Sequence, residues 1–130
     1  MEEQKFRKLN VWNKSMDLIE QIYRTTQKFP GQEVYGLTSQ LRRASTSIAL
    51  NIAEGSGSGS DGEFKRFLNI ALRSAYEAIC AIEIAKRLGF CSMHEANMLK
   101  SGCDEISAML TGLKKHLGGI RAAGHKTSDD

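Results

Sequence analysis

The chain has one proline in 130 residues, Pro30, and few clusters of β-branched residues. Proline breaks helix interiors and strand ladders, and β-branched clusters mark strands, so a chain short of both is expected to be helical. It has three cysteines, Cys80, Cys91 and Cys103, and no two of them form a CxxC pair. An odd, scattered count argues against a disulfide framework and fits reduced thiols in a cytoplasmic protein. No apolar run approaches the roughly 20 residues needed to span a bilayer. The opening MEEQKFRKLN lacks the apolar core of a secretion signal, so no membrane partner is expected. An excess of one charge is missing too. The 18 basic and 15 acidic residues are mixed along the chain and give +3, which is mild for a dedicated nucleic-acid binder.

Glycine is concentrated in one place. The stretch NIAEGSGSGSDGEFKRF, Asn51 to Phe67, sets a Gly/Ser run between two helix-like segments. A phosphate-cradling loop follows a strand and completes a GxxxxGK[ST] or GxGxxG pattern. This run follows a helical segment and completes neither, so it reads as a hinge between two long helices.

Four segments have helical spacing and end signals. The first spans about Asn10 to Phe29, with Asn10 as N-cap, a stripe of Leu9, Trp12, Met16, Ile19 and Tyr23, and a stop at Pro30-Gly31. The second starts near Gly36 to Thr38 and ends at Glu54-Gly55. The third opens on the capping box Ser60-Asp61-Gly62-Glu63 and closes on Lys86-Arg87-Leu88-Gly89, cations and a glycine where a helix C-terminus favours them. The fourth opens on a second capping box, Ser92-Met93-His94-Glu95, and is expected to stop at Lys114-Lys115-His116 before Gly118-Gly119. Its seam of Ala96, Leu99, Cys103, Ile106, Leu110, Leu113 and Leu117 has heptad spacing. Short connections make successive helices antiparallel neighbours. The expected fold is an all-α, antiparallel up-and-down four-helix bundle over residues 10–117, with an N-terminal arm at 1–9 and a flexible tail at 118–130.

Two features exceed a plain bundle. From Asp61 to Leu88, 16 of 28 residues are apolar, and the polar ones fall mostly on one strip: Gly62, Arg66, Asn69, Arg73, Glu77, Glu83 and Arg87. That is a narrow wet face, so the surplus should be covered, by the N-terminal arm or, preferably, by a second copy of the chain. The second helix carries an apolar stripe (Leu37, Leu41, Ile48, Ile52) beside a small-and-polar one (Gln40, Ala44, Ser47, Asn51, Glu54). The polar stripe is either a solvated face or a hydrogen-bonded network with Arg43, Ser74 and Glu77.

The residues offer little chemistry. None of His94, His116 and His125 has a glutamate three positions before it, so the di-iron pattern of bundles is absent. Cys91 and His94 make a lone C-x-x-H at a helix start, better suited to a cap than to zinc. Glu54 and Glu77 could mimic a carboxylate dyad but read as structural. No catalytic residue, metal or cofactor is expected.

QLRRASTSIALNIAEG (Gln40 to Gly55) and EFKRFLNIALRSAYE (Glu63 to Glu77), preceded by a Trp-containing first helix, FP and an E-x-Y-G-L-T-like turn, resemble the family of four-helix-bundle proteins encoded in 23S ribosomal RNA intervening sequences. The likeness spans about residues 6 to 117. It implies a bacterial homopentamer with a central opening and no known catalytic activity. Distant relatives serve as accessory proteins of diversity-generating retroelements and bind nucleic acid and a reverse transcriptase through a basic pentameric surface. Gln40, Arg43, Ser47, Asn51 and Glu54 fall on the family's second-helix motif, and Glu77 on its third-helix motif. Three positions depart from the pattern: the Gly/Ser run has no basic residue before Lys65, Arg73 stands where glycine is usual, and Ala49 where proline is common.

The expectation is a non-enzymatic oligomeric adaptor with weak, low-specificity affinity for RNA or DNA and a protein partner. The nucleic-acid candidates are Arg42, Arg43, Lys65, Arg66 and Arg73. Those for a polar network or subunit interface are Gln40, Arg43, Ser47, Asn51, Glu54, Ser74 and Glu77. The alternative is a purely structural interaction module without nucleic-acid affinity.

Overall fold

The computed structural model describes residues 5–125, with side chains described as far as residue 118. A 3-10 turn, Lys5–Lys8, leads into α1 (Asn10–Thr26), and a second 3-10 turn, Gly31–Glu33, leads into α2 (Leu37–Ser56). Two longer helices follow, α3 (Asp61–Arg87) and α4 (Met93–His125). Each helix packs on its sequence neighbours and α1 closes on α4, with no diagonal contact among the described residues, which makes a four-helix bundle. No strand occurs among the described residues, and no helix among them is long and apolar enough to cross a membrane.

The end signals hold in most places. Ser60 Oγ accepts the Glu63 backbone N–H at 3.1 Å. The second capping box is reciprocal: Ser92 Oγ accepts from Glu95 N and Ser92 N donates to Glu95 Oε1, both at 3.0 Å. Gly89 takes φ +80° after α3, where a side chain would be strained.

Two termini differ from expectation. Leu9, in extended conformation and without a side-chain cap, precedes α1 in place of Asn10. Asn13 Nδ2 instead donates to the carbonyls of Arg7 and Leu9, both at 3.1 Å. At the other end α4 passes His116 and Gly118 and continues to His125, so the boundary expected at 117 is not a helix end. Glycine costs a helix about 1 kcal/mol without terminating it, and no proline follows. The rest of the expected tail, residues 126–130, lies outside the described residues, as do residues 1–4 of the arm.

The core face of α1 is shifted from the expected stripe. Val11, Ser15, Leu18, Ile22 and Thr25 are buried, whereas Trp12 and Met16 are half-buried and Tyr23 is exposed. Ser15 Oγ donates to Val11 O at 2.8 Å and Thr26 Oγ1 to Ile22 O at 2.7 Å. Hydroxyls satisfied by their own helix pack like small apolar groups. Trp12 instead holds the arm, with the Phe6 ring edge-on at 4.9 Å. The fourth-helix seam is buried as expected, apart from the half-buried Leu113.

The tightest packing joins α2 to α3. Leu41, Ile48 and Ile52 of α2 share one buried cluster with a stripe of fully buried alanines on α3, Ala71, Ala75, Ala78 and Ala85. At the hinge, α2 runs on through Gly55 to Ser56, so the turn is only residues 57–60.

Glu83 ties α3 to α4. Its carboxylate takes Lys100 Nζ at 2.8 Å and Lys86 Nζ at 3.2 Å. Lys100, then Lys86, hold it down to about 2, and Glu83 in turn raises Lys100. The contribution of Glu83 to stability is therefore complete above its ordinary 4.5 and is lost as pH falls towards about 2. That of Lys100 is complete below 10.5 and is lost as pH rises through its raised value. Urea midpoints of Glu83→Gln are expected to fall less than those of the unsubstituted chain between pH 4.5 and 2; parallel acid limbs would contradict this assignment.

Candidate functional site

The antiparallel pairing of α2 and α3 leaves one shared outer face. Ser47 Oγ and Ser74 Oγ share a hydrogen bond of 2.8 Å across the helix pair. Asn51 Nδ2 donates to Ser47 O at 2.8 Å and to Ser47 Oγ at 3.0 Å. Ser74 is buried, and Ser47 and Asn51 are half-buried. The middle of the expected network is therefore formed.

Its ends are not. Gln40, Arg43, Glu54 and Glu77 are exposed, and none makes a side-chain hydrogen bond or ion pair among the described residues. They border the Ser47–Ser74–Asn51 core as a polar rim. The apolar surplus of α3 is only partly taken up inside the chain. Among the described residues the arm packs against α1 and α2, not α3. Tyr76 and Ile84 stay 56% and 44% exposed, and Leu50 on α2 64%. Cys80, one turn from Tyr76 and from Ile84, is exposed as well. The outer stripe of α3 thus changes character along its length, from Arg66, Asn69 and Arg73 to Tyr76, Cys80 and Ile84.

The five candidate cations do not converge. Arg42 faces α1: its Nε donates to Thr26 Oγ1 at 2.8 Å and its guanidinium lies 4.3 Å from the Tyr23 ring centroid. Arg66 is paired with Glu63 at 2.7 Å and rests on Phe67. Lys65 points towards α4, its Nζ 3.6 Å from where a Cβ on Gly118 would lie. Arg43 and Arg73 are exposed and unengaged among the described residues. Consecutive residues lie about 100° apart around a helix, which sequence proximity conceals.

No group of three or more His, Cys, Asp or Glu among the described residues is placed to hold a metal. Cys91 precedes the Ser92–Glu95 capping box and His94 lies within it. Burial holds the Cys103 thiol at about 12, far from a reactive thiolate. In denaturant-free buffer Cys103 is expected to react with maleimide at least tenfold more slowly than in the unfolded chain, by the exposure and thiolate-fraction argument; equal rates by peptide mass mapping would contradict the burial of Cys103.

An all-helical bundle with a polar-cored, apolar-flanked outer face on its central helix pair is the class of protein seen here. The chain belongs to the 23S rRNA-intervening sequence protein family, whose model matches residues 7–112. A protein of unknown function from the S23 ribosomal protein family of Bacteroides thetaiotaomicron VPI-5482 is 27% identical. The match covers 81% of this chain and 98% of that one, with a TM-score of 0.73. No curated protein matches the chain. The family match indicates no catalytic class.

Proposed function

We propose that the protein is a cytoplasmic, non-enzymatic adaptor that assembles with itself through the outer face of α2 and α3. The observation carrying this reading is the pairing of exposed Leu50 and Ile84 with a half-buried Ser47–Ser74–Asn51 network, and the exposed Tyr76 on the adjoining flank of α3. Exposed apolar side chains around a polar core with spare hydrogen-bonding capacity suit a specific contact between copies. The copy number of five comes from the family resemblance. Native mass spectrometry is expected to give a pentamer, and Leu50→Glu with Tyr76→Glu a folded monomer. A monomeric unsubstituted chain at micromolar concentration would refute the assembly.

The same assembly is proposed to hold RNA weakly, with little sequence preference, and to present it to a protein partner. Five copies at +3 each carry +15, and Arg43 and Arg73 recur once per copy. Such binding weakens with salt because it releases counterions. Filter binding to a single-stranded RNA is expected to lose at least tenfold in affinity between 50 and 200 mM salt, the direction and rough scale set by a handful of phosphate contacts. The intramolecular engagement of Arg42 and Arg66 favours a second reading, a structural module with no nucleic-acid affinity. Light scattering that is unchanged by added RNA at low salt selects it.

A further inference from the structure

The bundle is polarised end to end. Of the nine large hydrophobics exposed among the described residues, seven lie towards the end formed by the α1–α2 and α3–α4 connections, Ile84 of the outer face among them. They include Val34, 52% exposed, Tyr35, 94%, Leu88, 58%, Met93, 67%, and Met98, 51%. Charge follows the same division. Residues 21–43 and 80–100 hold seven of the chain's 18 basic residues and three of its 15 acidic ones, so this end is +4 and the rest of the chain −1.

The three acids there are already committed. Glu83 binds Lys100 and Lys86. Glu95 pairs with Lys28 and accepts from Ser92 N, and Glu33 Oε1 accepts from Leu37 N. Arg24 has no such partner among the described residues. It lines an open cleft of about 340 Å³ between α1 and α4, whose accessible apolar surface is Met98, 51% exposed, since Leu99 is buried.

We propose that this cleft docks an acidic amphipathic helix of a partner protein, its apolar face seated on Met98 and a carboxylate on Arg24. Charge complementarity selects the occupant: the one uncommitted charge in the cleft is positive, and it sits beside the thioether surface of Met98. A phosphate backbone would leave that surface unmatched. Methionine-lined grooves accept helices because the thioether chain adapts its shape. The site lies away from the outer face of α2 and α3 and does not depend on its assembly.

The test is selection of 16-residue peptides, displayed at random, against the full-length protein. Enriched peptides are expected to carry Asp or Glu beside apolar residues at helical spacing. Fluorescence anisotropy of the best one should show at least a tenfold loss with Met98→Glu and with Arg24→Glu, and none with Leu50→Glu. Circular dichroism confirms that each variant is folded. Basic or patternless peptides, or binding indifferent to both cleft substitutions, overturn the proposal. So does a change of oligomeric mass with Met98→Glu, which assigns the cleft to a second copy. Competition by single-stranded RNA, or sedimentation with phosphatidylglycerol vesicles that Met98→Glu abolishes, assigns it to those surfaces and likewise overturns the proposal.

Discussion

Gly55→Val is expected to destabilise the chain by about 3 kcal/mol, at the upper end of the range for overpacking a close contact. A Cβ at residue 55 would lie 2.8 Å from Phe67 Cβ and 2.9 Å from Phe64 Cδ1. The Phe64 ring can turn, but Phe67 Cβ is anchored to the α3 backbone and cannot move without it. Valine adds two methyl groups beyond that first collision. Alanine at 55 makes the Cβ contact alone and recovers about 1 kcal/mol of helix propensity, so it should cost less. The control is Gly57→Ala, in the same run. Gly57 has φ −90° and its nearest foreign atoms are backbone oxygens at 3.8 Å, an ordinary contact. It is expected to be neutral, or stabilising by about 0.5 kcal/mol through the unfolded chain. Urea midpoints settle it: if 55 and 57 respond alike, α2 and α3 are not in the tight register described here.

This contrast locates what the sequence could say about the hinge. The Gly/Ser run is legible as a turn, because small and polar residues between two periodic segments leave few alternatives. Which glycine matters is not legible. Gly55 is needed for helix approach rather than for backbone freedom, and approach depends on Phe64 and Phe67 folding back across the turn. The capping boxes at Ser60 and Ser92 and the seam from Ala96 to Leu117 are local, single-helix signals, and they are visible before any tertiary contact. The α1 face is misread for the opposite reason. Ser15, Thr25 and Thr26 look polar, yet two of these hydroxyls bond to carbonyls of their own helix and enter the core. The bulky Trp12, Met16 and Tyr23 are left on the flank.

The outer face follows the same logic. Ser47, Ser74 and Asn51 meet because their spacings are fixed by two adjacent helices, so the centre of the network could be anticipated. Arg43 and Glu77 were plausible partners by type, but on the folded chain they stand clear of it, exposed at the rim. The candidate cations fail to converge because residues adjacent in sequence, Arg42 and Arg43, or Lys65 and Arg66, point to different neighbours. Side-chain type can nominate a charged surface; only the helix pairing decides which charges share it.

Ile48→Ala should be among the most damaging single truncations, about 4 kcal/mol, near the top of the range for emptying a buried aliphatic site. Ile48 is fully buried at the centre of α2. The cost of such a change divides into lost burial and the cavity that remains, and the cavity part depends on how far neighbours can collapse. Here the facing stripe of α3 is built from Ala71, Ala75 and Ala78, all fully buried. Alanine has no rotamer to swing into a void, and bringing the helix backbones closer is blocked at Gly55 by Phe64 and Phe67. The void therefore persists. Leu117→Ala, at the rim of the core and 8% exposed, can be compensated by water and by movement of the chain end, and should cost about half as much. A loss below about 2 kcal/mol for Ile48→Ala, the bottom of that range, would mean that α2 and α3 can close the gap. The alanine-lined contact would then be a pliant one, and the outer face it positions would lose its fixed geometry.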